Sequence, residues 1–183
     1  MIRVLVDDLA FLAVDAVVRP ADDRLEPVST AAARLDAQAG PRFAAQRLVQ
    51  QPLEVGAAVV TGAGDLAAGY VIHVVVQSAE QPLERATVRR ALRSAWQRAM
   101  EWDLVRLAAP PVGAGAGQLG LEEAADLLVE TFRAARPAAR PAASAGPGRA
   151  PWAGELALVV EREAEREMVE SVLRRAGLGG GPA

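Results

Sequence analysis

Val105-Arg106-Leu107-Ala108-Ala109-Pro110-Pro111-Val112-Gly113-Ala114-Gly115-Ala116-Gly117-Gln118-Leu119-Gly120-Leu121-Glu122-Glu123-Ala124-Ala125 runs from an apolar segment, through a glycine-rich loop, into helical composition. Val105–Ala109 reads as a buried strand and Leu121–Ala134 as a helix. Glycines at such a junction let the backbone pass close to a ligand and turn its N–H groups inward. The helix that follows adds the positive end of its dipole, so the loop suits a phosphate. The same residues also fit a plain tight connector in a chain rich in glycine and alanine. Gly115-x-Gly117-x-x-Gly120 matches the dinucleotide fingerprint, which expects an acid at the end of the next strand, roughly 20 residues on. Here the next strand ends at Glu161, about forty residues on, so that reading is the weaker one.

Outward from this junction, strand-like and helix-like segments alternate. Ile2–Val6, Val14–Val18, Ala57–Thr61, Tyr70–Val76 and Leu156–Val160 are short apolar, largely β-branched runs. Ser29–Ala39 has helical composition, with Ser29 or Thr30 as N-cap and Gly40 as the stop. Leu83–Trp102 is the clearest helix: Val88, Leu92, Ala95, Ala99 and Trp102 form an apolar stripe opposite Arg85, Arg89, Arg93 and Gln97. Arg162–Ala176 is the last helix, with Met168, Val169, Val172 and Leu173 on its core face and Arg174 and Arg175 matching its dipole. Buried strands alternating with helices predict an α/β fold with a largely parallel sheet covered on two faces.

The 183 residues suit one domain. We expect it to span residues 1–176, interrupted by an Ala/Pro/Arg/Gly-rich insert at 135–153 that lacks the apolar residues to pack, and followed by a tail at 177–183. Trp152 is placed to pin that insert back onto the domain. The chain has no cysteine and a single histidine, His73, so thiol chemistry and a His-based metal site are excluded, and neither a metal nor a cofactor is expected. All 20 basic residues are arginine, which removes Schiff-base lysines and a P-loop lysine. The net charge of −3 argues against nucleic acid as a partner. The arginines along Leu83–Trp102 read as a solvated face, and Glu122 and Glu123 as acids stabilising a helix start. Met1–Asp8 reads as a first strand and not a leader, and no run approaches the length needed to span a bilayer; a cytoplasmic location without membrane contact is the expectation.

A second candidate site is Val14-Asp15-Ala16-Val17-Val18-Arg19-Pro20-Ala21-Asp22-Asp23-Arg24-Leu25, where a buried strand empties into a polar loop. Asp22 or Asp23 could contact a ribose hydroxyl and Arg19 or Arg24 a phosphate; loop residues of this kind are also commonly just solvated. Together with Asp7-Asp8-Leu9, Gly69-Tyr70-Val71-Ile72-His73, Gly113-Ala114-Gly115 and Leu121-Glu122-Glu123-Ala124-Ala125, this order of motifs resembles the macro-domain family over nearly the whole chain.

The resemblance implies a three-layer α/β/α sandwich with a mixed, mostly parallel six-stranded sheet, and an ADP-ribose cleft above it. By matching positions, Asp8 would accept from the adenine amino group with the Leu9 backbone beside it. Ala21 and Asp22 fall where the family contacts the distal ribose, Asp22 replacing an asparagine. Val112, Gly113, Ala114, Gly115, Ala116 and Gly117 would wrap the diphosphate, and His73 falls on an interior strand as a structural residue. The chain departs from the family where Arg19-Pro20-Ala21-Asp22 stands for Asn-Ala-Ala-Asn, where Val28-Ser29-Thr30 stands for a glycine run, and where Gly117 replaces a stacking aromatic. The function implied is binding of ADP-ribose or a related nucleotide with little or no catalysis, an ADP-ribosylated protein being a further partner. The alternatives are a hydrolase of O-acetyl-ADP-ribose or ADP-ribosylated protein, with Asp22 as catalytic candidate orienting water, and a degenerate fold serving as a protein-interaction module.

Overall fold

The computed structural model describes residues 1–115, 117–136 and 152–178. Ala116, residues 137–151 of the expected insert and residues 179–183 of the expected tail lie outside the described residues. Six strands, β1 (Ile2–Val6), β2 (Ala16–Asp22), β3 (Ala58–Gly62), β4 (Tyr70–Gln77), β5 (Arg106–Ala109) and β6 (Glu155–Val160), form one sheet in the order β1-β6-β5-β2-β4-β3. All neighbours are parallel except the edge pair of β3 and β4. The mixed, mostly parallel six-stranded sheet of the expected α/β class is therefore present. No helix among the described residues is long and apolar enough to cross a membrane.

Helices α2 (Arg85–Glu101), α3 (Leu121–Ala135) and α4 (Glu163–Arg175) cover one face, where Val88, Leu92, Ala95, Leu128, Phe132, Val169 and Val172 pack on Val18, Ile72 and Leu158. Helix α1 (Thr30–Gln46) covers the other face, setting Leu35, Ala39 and Phe43 against Val17, Val71, Ala108 and Val159. Ser29 caps α1, its Oγ accepting from the Ala32 N–H at 3.2 Å. Gly40 does not end α1. It breaks the helical path with φ 76° and ψ −175°, and Pro41, whose missing N–H is harmless in a first turn, restarts the helix.

Two aromatic placements differ from expectation. Trp102 caps the end of α2 with half of its surface exposed, meeting Tyr70 edge-on, because the helix ends before its stripe can carry that residue under the sheet. Trp96 is the buried tryptophan, donating to Thr131 Oγ1 at 3.0 Å and meeting Phe132 edge-on. Trp152 donates to the Leu104 carbonyl at 2.8 Å and also packs edge-on against Phe132, which ties the start of the last segment to the α2–α3 side. The arginines of α2 are less free than a solvated face implies: Arg85 and Arg89 pair with Glu123 and Glu130 of α3.

Candidate functional site

β2 and β5 pair only through Ala16–Leu107 and Val17–Ala108, then separate. The chain leaving β2 passes to α1 on one face, and the chain leaving β5 passes to α3 on the other. This divergence of neighbouring parallel strands is where an open α/β sheet places a ligand crevice. Pro20 sits in β2 beyond the last β2–β5 pair, where the N–H it lacks has no neighbour to serve, and it forms part of the crevice wall.

The crevice is a cleft of about 590 Å³ above the ends of β1, β6, β5 and β2, a size typical of small-ligand sites. Three strand spacings make it roughly 14 Å across at ~4.8 Å each. At its glycine end lie Pro110, Pro111, Gly113, Ala114, Gly115 and Leu119, facing Val28, Ser29 and Thr30 at the start of α1. The two walls nearly touch: a Cβ on Gly115 would lie 3.1 Å from that of Ser29. Gly113 has φ 100°, and a Cβ there would come within 2.8 Å of the Leu119 side chain, so only glycine suits this turn. At the other end lie Asp7, Asp8, Leu9, Val159, Val160, Glu161, Arg162, Glu165 and Met168, with Arg34 of α1 above them.

Asp8 caps the short 3₁₀ turn Leu9–Phe11, its Oδ1 accepting from the Ala10 N–H at 3.0 Å. Its other oxygen faces the cleft, 3.9 Å from Arg34 Nε. Arg34 also forms an ion pair with Glu161 on the far wall. Arg162 binds Glu165 through Nε and Nη2, at 3.0 and 2.5 Å. Burial pulls the Glu165 carboxyl upward, but hydrogen bonds from Arg162 and from the backbone of Glu161 and Arg162 outweigh it and hold the group below the usual range.

Of the expected site residues, Asp8, Leu9, Gly113, Ala114 and Gly115 line this cleft together. Val112 does not: it is fully buried under the loop and packs into the core with α2 and α3. Gly117 is exposed past the turn and stands outside the lining. Ala21 is also buried, on the opposite side of β2 from the cleft, among Leu25, Val55 and Val75.

Asp22 is the main correction. Its Oδ1 accepts the backbone N–H groups of Arg24 at 2.9 Å and Glu26 at 2.8 Å, so the carboxylate closes its own loop and stays out of the cleft. A register shift between Ala21 and Asp22 pairs Asp22 with Gln77 and re-aims the side chain. Arg19 does not reach a phosphate either. It is buried beneath α1, where Nε and Nη2 grip the two Asp36 oxygens at 2.5 Å each and Nη1 donates to the Leu25 carbonyl at 3.0 Å.

Arg19 Nη1 also approaches His73 Nδ1 at 3.2 Å. A guanidinium only donates, so Nδ1 accepts, Nε2 carries the proton to Thr61 Oγ1 at 2.8 Å, and Thr61 passes its own to the Gly62 carbonyl. Burial, then the charges of Arg19 and Arg47, push His73 down to about 3. It is a neutral structural residue.

Sequence reasoning missed Arg34, Arg162 and Glu165, took Glu161 only as the strand-end acid of the weaker dinucleotide pattern, and set Met168 on a core face. Met168 is partly exposed at the cleft and not on the core face of α4. Thr30, Ala31 and Arg34 share a helix face by their spacing, but the strand-end residues meet the site only because β6 lies between β1 and β5.

A macro-domain family model matches residues 18–128. An uncharacterised protein of Mycobacterium tuberculosis is 32% identical over 130 residues, covering 71% of this chain, which in turn spans 36% of that protein's length. An O-acetyl-ADP-ribose deacetylase of Klebsiella pneumoniae is 32% identical over 138 residues, covering 72% of this chain and 79% of its own length. Among solved structures, a Trypanosoma brucei macrodomain in complex with ADP-ribose superposes with a TM-score of 0.75 at 19% identity, covering 94% of this chain and 68% of its own. Together with the sheet order and the cleft between β2 and β5, these place the chain in the macro-domain family.

Proposed function

We propose that this domain binds ADP-ribose or a related nucleotide, free or on an ADP-ribosylated protein, and turns it over slowly or not at all. Asp8 accepts the adenine amino group through its outward oxygen, with Leu9 beside it. The backbone of Gly113–Gly115 and the start of α1 cradle the diphosphate, as glycine turns and helix starts do. The ADP-ribose seen in the trypanosomal neighbour supports this reading.

The observation that carries the low-catalysis half is the direction of Asp22. Its carboxylate is occupied by two amides of its own loop. The acids lining the cleft, Asp7, Asp8, Glu161 and Glu165, all belong to the β1–β6 end, away from the glycine loop. Activating a water at the distal ribose needs a base held within hydrogen-bond reach. The Klebsiella relative's deacetylase activity favours a second reading, hydrolysis of O-acetyl-ADP-ribose by this same cleft.

Calorimetric titration with ADP-ribose, with AMP and NAD as controls, tests binding. Micromolar affinity, abolished by Asp8→Ala and by Gly115→Glu, is the expected result, and absence of heat with all three ligands would reject the nucleotide reading. Chromatographic assay of O-acetyl-ADP-ribose tests the second half. Rapid deacetylation lost in Asp22→Ala would overturn the low-catalysis reading in favour of the hydrolase.

A further inference from the structure

The charged side chains of the cleft do not suit an anion at first sight. Asp7, Asp8, Glu161 and Glu165 line it against Arg34 and Arg162. Arg162 is held by Glu165 through two bonds from the same helix start, so this pair is self-contained. What is left is Arg34 facing three acids. A dianionic diphosphate at the glycine end of the cleft shares it with net negative charge at the β1–β6 end, and in a partly desolvated cleft such repulsion is felt more strongly than in water.

Arg34 is the movable cation. It stands on α1 one turn beyond Thr30, about 6 Å along the helix at 1.5 Å per residue. Its side chain and that of Glu161 are each about half exposed, and ion pairs of that kind are weak and exchange partners readily. Arg34 lines the same cleft as Gly113, Ala114 and Gly115, and Glu161 follows β6, the neighbour of the strand β5 that runs into the glycine loop.

We propose that Arg34 is the specificity-determining residue of this cleft: on ligand entry it leaves Glu161 for the diphosphate, and Glu161 is the competing counter-ion that sets how readily it leaves. The domain thereby selects nucleoside diphosphate derivatives over uncharged nucleosides of the same base. This rests on the nucleotide reading above. A planar guanidinium offers two parallel donors to phosphate oxygens, which makes it a stronger and more selective contact than the backbone amides alone.

The test is calorimetry of the full chain and of Arg34→Gln, Glu161→Gln and the double variant, with ADP-ribose and with adenosine as probes. Arg34→Gln should weaken ADP-ribose about ten-fold or more, the range for a charge-assisted contact. Glu161→Gln should tighten it several-fold, and adenosine affinity should change little in either. The double variant should stay weak. Recovery of wild-type affinity in the double variant would show that Arg34 only neutralises Glu161, and would overturn direct contact. Equal losses for ADP-ribose and adenosine in Arg34→Gln, or no loss at all, would also overturn the proposal while leaving the nucleotide reading intact. Absence of ADP-ribose binding in every form, Glu161→Gln included, would reject both.

Discussion

Replacing Arg19 by methionine removes a guanidinium that is wholly buried yet serves three partners. Asp36 would lose both of its 2.5 Å hydrogen bonds and keep only Arg47 Nε, 3.7 Å away. The Leu25 carbonyl would retain its 3.1 Å bond from Arg47, whereas His73 Nδ1 would lose its donor. Breaking a buried pair by removing one partner costs about 3–5 kcal/mol, because the other charge is stranded. Arg47 and the partial exposure of Asp36 place this case at the low end, about 3 kcal/mol. For a domain of this size that corresponds to a fall in melting temperature of roughly 6–12 °C. Urea unfolding followed by circular dichroism should show the midpoint falling with its slope unchanged. Arg19→Met with Asp36→Leu should recover most of the loss, since an apolar pair replaces a buried ionic one at little cost. A loss under about 1 kcal/mol in the single variant would refute the reasoning. So would a double variant no better than the single, because the penalty would then not come from a stranded carboxylate.

His73 gives a pH signature. Its folded-state value of about 3 lies below the ordinary 6.5, so stability from this site is complete above pH 6.5 and is lost as pH falls toward 3. The loss should reach about 2 kcal/mol by about pH 5. His73→Gln should flatten that part of the stability–pH curve, and an unchanged slope would show that the ring is not buried neutral. Gly113→Ala should lose stability by about 1 kcal/mol or more from its positive φ and the Leu119 contact, with a matching loss of ADP-ribose affinity by calorimetry. Asp22→Ala should lower the melting temperature by removing a loop-closing acceptor worth about 1 kcal/mol, yet leave ADP-ribose affinity within about two-fold. A large affinity loss without destabilisation would return Asp22 to the cleft.

Periodicity and turn chemistry were enough to read the alternation of strands and helices, the glycine junction after Ala109 and the interior strand carrying His73, because those signals are local. Arg19 was not legible. A charged residue followed by proline looks like a strand running into a loop, and the carboxylate that makes its burial tolerable, Asp36, lies 17 residues on in a helix of the other layer. The direction of Asp22 depends on one register shift, which no residue type in Ala21-Asp22-Asp23 announces. Arg34, Glu161 and Glu165 needed the strand order. Their helix and strand were each foreseen, but their meeting across a cleft is a property of the assembled sheet.

Among the described residues β1 pairs with β6 alone, and β6 fills the place between β1 and β5. During synthesis the first strand must therefore wait, unsatisfied along both edges, while about 150 further residues emerge. The wall that carries Asp7, Asp8 and Glu161 closes only when that late strand is inserted. A ribosome-bound chain can have β2–β4 and their helices in place and still lack a nucleotide site. Loss of the final strand would act at the opposite end of the chain, leaving the opening strand as an unpaired edge open to another molecule.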